Sequence, residues 1–179
     1  MLSEQSKLSI TQNFHKAAKV SLVREPNDVI DIVPAMSCEI SDPTEHVLVI
    51  TSSAFIFRLM TIFHFTASPA SRTYFGGDSV TDQKLGEALS EVVNMFGGAL
   101  NRELSHYFPH LAMSIPHSLS MECMKYLDQL NPQYLASYEI TINSQVRLQV
   151  TLCMSCGAPV EIPMRATATE EATGELEMF

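Results

Sequence analysis

The sequence has no tryptophan, only four cysteines and seven glycines, and eleven lysines and arginines against twenty acids, for a formal net charge of −9. Each shortage excludes something. A nucleic-acid binder needs a basic patch to neutralise phosphates, and this balance supplies none. The same acidity disfavours an anionic membrane surface. The most apolar run, "SAFIFRLMTIF", falls well short of the ~20 residues that cross a bilayer and carries Arg58. The opening "MLSEQSKLSITQ" lacks a basic segment followed by an apolar one. No secretory leader is therefore expected, and the chain is expected to be cytoplasmic.

Cys38, Cys123, Cys153 and Cys156 are too few and too scattered for a disulfide framework. Cys153 and Cys156 form a lone C-x-x-C at the end of an apolar, strand-like run, with no second ligand pair nearby, so buried structural thiols are expected there. His106 and His110 are four apart in "HYFPH", but Pro109 breaks the helix that would align them. No metal of the chain's own is expected.

What is present is a core. With 46% hydrophobic and 17% charged residues, 179 residues suffice for one folded domain. That domain is expected over 1–164. The acidic stretch 165–179 has lost apolar periodicity and is expected to be a disordered tail, its Leu176, Met178 and Phe179 resembling a short docking peptide. Residues 6–22 read as a helix, and "VIDIVPAMSCEI" (29–40) and "HVLVIT" (46–51) as strands joined in a hairpin through "SDPTE". Ser52 or Ser53 is placed to cap a buried helix over 53–65, followed by a loop from Ala67 to Asp82. A helix over 82–105, capped by Thr81 or Asp82, comes next, expected beside the 53–65 helix. Then follow a strand in "LAMSIPHSLS" and two alternating strands, "YLASYEITI" and "VRLQVTLCM", joined by a tight Asn143-Ser144 turn. Long helices beside hairpin strands predict an α+β fold with a largely antiparallel sheet, and a helix-then-strands order recurs in the two halves.

The stretch "LGEALSEVVNMFGGALNREL" (85–104) holds the candidate chemistry. A step of ~100° per residue gathers Leu85, Leu89, Val92, Phe96, Ala99 and Leu100 on a core arc. The opposite arc holds Glu87, Glu91, Asn94, Gly98, Asn101 and Ser105. Two asparagines and Gly97-Gly98 cost the helix roughly 2–3 kcal/mol relative to alanine. A local rule broken without structural gain is what a functional site looks like. The structural alternative is ordinary solvated polar residues and glycines that serve helix–sheet packing.

"EVVNMFGGALNREL" resembles the motif helix of the CheC/CheX family of chemotaxis phosphatases, an E-x-x-N helix followed by small residues and then by a strand containing a proline. Glu91 and Asn94 match the motif pair, and Pro116 in "MSIPHSL" stands for the strand proline. Glu87 stands where the family has Asp or Ser, and 21 residues separate Asn94 from Pro116, one short of the usual spacing. The motif occurs once, which is similar to the CheX branch. The resemblance extends over residues 8–160 and implies a CheC-like fold of pseudo-repeated halves and a homodimer. It implies a substrate too: a phosphorylated, CheY-like response regulator whose aspartyl phosphate carries its own Mg²⁺. Asn94 would orient the attacking water, much as a glutamine does in GTPases. Glu91 would pair with the regulator's active-site lysine, and Glu87, Gly98 and Asn101 would face the partner. A non-catalytic CheC-like module, docking a regulator or sitting in a flagellar or signalling assembly, is the alternative.

Overall fold

A computed structural model describes residues 2–35, 46–77 and 80–163. Helix α1 (Glu4–Leu22) is followed by strands β1 (Ile30–Ala35), β2 (His46–Ala54) and β3 (Phe57–Phe65), then α2 (Pro69–Gly76) and α3 (Asp82–Ser105). Two short strands, β4 (Ala112–Met113) and β5 (His117–Leu119), a 3-10 helix (Met121–Leu130), and β6 (Tyr134–Ile142) and β7 (Val146–Cys156) complete it. The described residues form an α+β fold on one antiparallel sheet, in the order β1-β6-β7-β3-β2, with β4 and β5 sharing the outer edge of β2. Exchanging β1 with β4/β5, β2 with β6 and β3 with β7 turns this order into its own reverse. The recurrence of the two halves is thus visible in the topology.

Alternation builds the main core. Val146, Leu148, Val150, Leu152 and Met154 of β7, with Phe57, Leu59, Phe63 and Phe65 of β3, lie under the α-helices. α1 packs on α3 through the Phe14–Phe96 ring contact (5.9 Å), and Phe96 meets Phe63 of the sheet at 4.9 Å. The β6–β7 loop is three residues long, with Asn143 (φ 52°) and Ser144 (φ 58°) left-handed and the Gln145 N–H donating to the Ile142 carbonyl at 3.1 Å before Ile142 pairs with Val146.

Several expectations are corrected. Residues 53–65 are the end of β2, a turn and strand β3, not a capped helix. Their apolar residues face two cores at once, so no period marks the element. The expected β1–β2 hairpin does not form: β1 pairs with β6, at the far side of the sheet from β2. "SDPTE" and the tail 165–179 lie outside the described residues. The loop 67–82 contains α2, capped by Ser68 with Pro69 at its first turn. The single strand expected at "LAMSIPHSLS" is two, interrupted at Ser114–Pro116, where the Ser114 hydroxyl accepts the Thr51 N–H at 3.0 Å.

The second face of the sheet is covered differently. In the 3-10 helix Met121, Met124, Leu127 and Leu130 recur every third residue, the period at which 3-10 side chains eclipse. A 3-10 turn advances ~6 Å and two strand residues ~6.6 Å, so the stripe follows the rows of the sheet. Met121, Met124 and Leu127 pack on Val47, Val49, Ile62 and Cys153, yet no residue of this helix is fully buried. Cys153 is buried and Cys156 half-buried, both as free thiols three residues apart on β7 and so on opposite faces. Burial pushes both thiols up.

Asp28 ties three elements together. It accepts the Arg24 and Glu25 N–H groups (3.0 and 2.9 Å) after α1, the Tyr74 hydroxyl of α2 (2.7 Å) and the Asn143 amide of the β6–β7 turn (2.6 Å). The Tyr74 and Asn143 bonds hold its carboxyl well below the usual range, and desolvation and the shared bond push Tyr74 up to about 12. A depressed carboxylate contributes stability that is complete above its ordinary value and lost as pH falls through the folded one. The urea midpoint should therefore drop between about pH 5 and pH 2, and Asp28→Asn should flatten that limb. Identical acid limbs for the two proteins would show that Asp28 is not this junction.

Candidate active site

α3 runs unbroken through Gly97-Gly98. Thr81 caps it, its hydroxyl accepting the Lys84 N–H at 3.4 Å, and Asp82 and Arg102 lie at the ends that the helix dipole favours. An Arg72–Asp82 pair (2.6 Å) fastens its start to α2, and a Lys16–Glu103 pair (2.7 Å) fastens its end to α1. The neighbour on the sheet is therefore α1, and not the helix expected at 53–65. Leu85, Leu89, Val92, Val93, Phe96, Leu100 and Leu104 are buried, while Ala99 is half-buried.

The four awkward residues divide into separate roles. A Cβ on Gly97 would lie 2.2 Å from Ile50 Cδ1 and 3.0 Å from Met113 Sδ, so glycine here lets the helix lie directly on β2 and β4. A Cβ on Gly98 would meet nothing within 4 Å among the described residues. Asn94 is exposed, one turn before Gly98, and Glu91 is exposed one turn before Asn94. Neither the Glu91 carboxylate nor the Asn94 amide has a hydrogen-bond partner among the described residues. Asn101 departs from the expected outward arc: it is half-buried, and its Oδ1 is shielded from solvent with no hydrogen-bond partner among the described residues. Such an orphan acceptor typically costs ~1–3 kcal/mol. It leaves Asn101 a poor partner contact through that atom.

Glu87 is exposed and accepts the Gln83 amide at 3.1 Å, one turn before Glu91. Glu87, Glu91, Asn94 and Gly98 thus form one open polar strip. Met95 (51% exposed) lies on one side of it, and Met113 (38% exposed), against Gly97, on the other. Ile115, 70% exposed, follows two residues after Met113 and precedes Pro116. Methionines around a polar strip are the composition of a protein-docking surface. The amide can donate and accept toward a docked partner, and the carboxylate can pair with a partner cation. Sequence reasoning missed Met95, Met113 and Ile115; the apolar outward position of Met95 on the helical wheel was the available signal. Among the described residues no three His, Cys, Asp or Glu side chains gather to hold a metal ion, and no helix is long and apolar enough to cross a membrane.

No family model matches the sequence, and no curated protein matches it. Solved structures do share the fold. CheX from the CheX–CheY–BeF3–Mg²⁺ complex of Borrelia burgdorferi superposes with a TM-score of 0.53 at 10% identity, over 81% of this chain and 97% of that one. Chemotaxis protein CheX from Vibrio vulnificus gives 0.52 at 12% identity, over 82% and 97%. The FliM middle domain from Vibrio alginolyticus gives 0.51 at 9%, over 82% and 91%. The chain therefore has a CheC/CheX-like fold.

The two glycines separate packing from access. Gly98→Ala should stabilise the protein by up to ~1 kcal/mol through helix propensity. Gly97→Ala gains the same propensity but must displace Ile50, and should lose about 1–2 kcal/mol net. Urea denaturation of the pair measures the difference. Equal gains at both positions would mean that α3 does not rest this closely on β2.

Proposed function

We propose that this chain, with its CheX-like fold, is a phosphatase that accelerates dephosphorylation of a CheY-like response regulator in chemotaxis or related two-component signalling. The observation that carries the reading is the open, unpartnered Glu91–Asn94 pair on a continuous helix, with a vacant position at Gly98 beside it. The fold is shared with a CheX crystallised in complex with CheY, BeF3 and Mg²⁺. The reading includes a homodimer and a cytoplasmic location, where such regulators work.

An aspartyl phosphate is an activated acyl phosphate, so its hydrolysis needs a correctly placed water more than it needs a nucleophile. Asn94 enters the regulator's site and holds that water in line with the phosphorus; the aspartate oxygen leaves as the water oxygen bonds, and the water's proton passes to phosphate. A neutral amide suits this position because a carboxylate would be repelled by the phosphoryl oxygens. Glu91 pairs with a lysine of the regulator and fixes the register. Met95, Met113 and Ile115 supply apolar area around the polar strip. Mg²⁺ stays with the substrate.

The second reading is a non-catalytic docking module. The FliM middle domain, which shares the fold, and Glu87 at the position of the family's Asp or Ser favour it.

Phosphate release at several regulator concentrations, with binding measured separately, distinguishes the roles. Asn94→Ala should lose about 100-fold in acceleration while still binding the phosphorylated regulator. Glu91→Ala should weaken docking about tenfold, a defect that shrinks as regulator concentration rises. Gly98→Leu should lose both functions, because its side chain holds the partner away from Asn94. Full activity in Asn94→Ala would overturn the mechanism and leave the docking module as the better reading.

A further inference from the structure

The sheet face away from the α-helices carries a second, unrelated arrangement. Along β3 Arg58, Met60, Ile62 and the buried His64 face this side, alternating with the buried Leu59 and Phe63. Ser53 of β2 and Ser155 of β7 stand in register on either side of Arg58, and Val49 stands beside Ile62. A concavity of about 520 Å³ opens around Arg58, Ser53 and Ser155. A narrower slot of about 190 Å³ lies between the sheet and the 3-10 helix. The two share Met60 and Leu130 and therefore adjoin.

We propose that this strip binds a free medium-chain carboxylate, its head on Arg58 between the two serines and its aliphatic chain in the slot under the 3-10 helix. Charge complementarity selects the head group. Arg58 is exposed and has no carboxylate partner among the described residues, although acids outnumber basic residues twenty to eleven in this chain. A guanidinium takes a carboxylate in a forked geometry, and the Ser53 hydroxyl beside it can donate to the same oxygens, while the Ser155 hydroxyl donates to the Leu130 carbonyl at 3.3 Å and closes the other side. The slot selects the tail. Val47, Val49, Ile62, Met124 and Leu127 line it, leaving enclosed water short of partners although the space equals roughly six water volumes.

Length agrees with both ends. Two residue pairs along β3 set Arg58 and Ile62 about 13 Å apart, the reach of a medium chain rather than of acetate. The cover is suited to parting, since the 3-10 helix buries no residue fully and touches the sheet through flexible methionines and leucines. This site lies on the face opposite α3 and stands independently of the Asn94 reading.

The test uses the full chain with decanoate below its micellar concentration, decanol as the neutral equivalent and acetate as the bare head. Calorimetry should show saturable, equimolar decanoate binding and none for acetate. Arg58→Gln should weaken decanoate about tenfold and leave decanol unchanged. In a protein carrying ¹³C-methyl methionine, decanoate should shift Met60, Met121 and Met124 but not Met95. Failure of decanoate to saturate, equal affinity in Arg58→Gln, or shifts centred on Met95 would each overturn the proposal. Binding of an acidic amphipathic peptide in place of decanoate would also overturn it, making the strip a protein groove.

Discussion

The orientation of the candidate site depends on one close approach, the bare backbone of Gly97 against Ile50 and Met113. Because no side chain intervenes there, α3 settles on β2 and β4, and Phe96, one residue earlier, reaches both Phe63 and Phe14. Helical geometry then leaves no freedom for the rest. On the helical wheel Asn94, Gly98 and Glu91 lie roughly 60°, 100° and 120° from that contact, all on the side away from the buried Phe96, and Asn94 and Glu91 face solvent. The glycine that weakens the helix locally is what aims its polar strip. Gly98 adds vacancy on the outward side, where no contact of the fold calls for it.

The pseudo-symmetric sheet is treated unequally on its two faces. Under the α-helices the alternating residues of β3, β6 and β7 form one continuous aromatic and aliphatic core. On the other face a single period-three stripe covers a smaller cluster and leaves space beside Arg58. The two halves differ as well: α3 carries Glu91 and Asn94, whereas α1 has no E-x-x-N and is occupied with core packing through Ile10, Phe14, Ala17 and Ala18. Tethers such as Asp28, which joins the end of α1 to α2 and the β6–β7 turn, hold the halves together.

Local signals were legible in the sequence where they were complete. Thr81 and the 3.6-residue stripe through Leu85, Leu89 and Phe96 each specify their geometry without tertiary help, and Asn143-Ser144 marks a turn that Asp28 and Val29 then fasten. Residues 57–65 did not, because a strand buried on both faces has the composition of a buried helix. The pairing of β1 with β6 was invisible for a different reason, since it joins segments about a hundred residues apart with no sequence period to mark them. α2 was available to a closer reading through Ser68-Pro69, and the 3-10 helix through its four apolar residues at a spacing of three. In the site, the exposure of Glu91 and Asn94 followed from the wheel alone. The packing role of Gly97 and the shielding of Asn101 required the position of β2 and β4.

The central claim is that the Glu91–Asn94 strip does chemistry on a docked partner. Its most direct measurement is the decay of the aspartyl phosphate on a CheY-like regulator charged with a small phosphodonor and then freed of it, with the full chain added far below stoichiometry. The expected result is rapid loss of phosphate from the whole regulator population, each molecule of this protein turning over many regulators. A regulator that binds the chain yet keeps its phosphate for the same lifetime would contradict the claim.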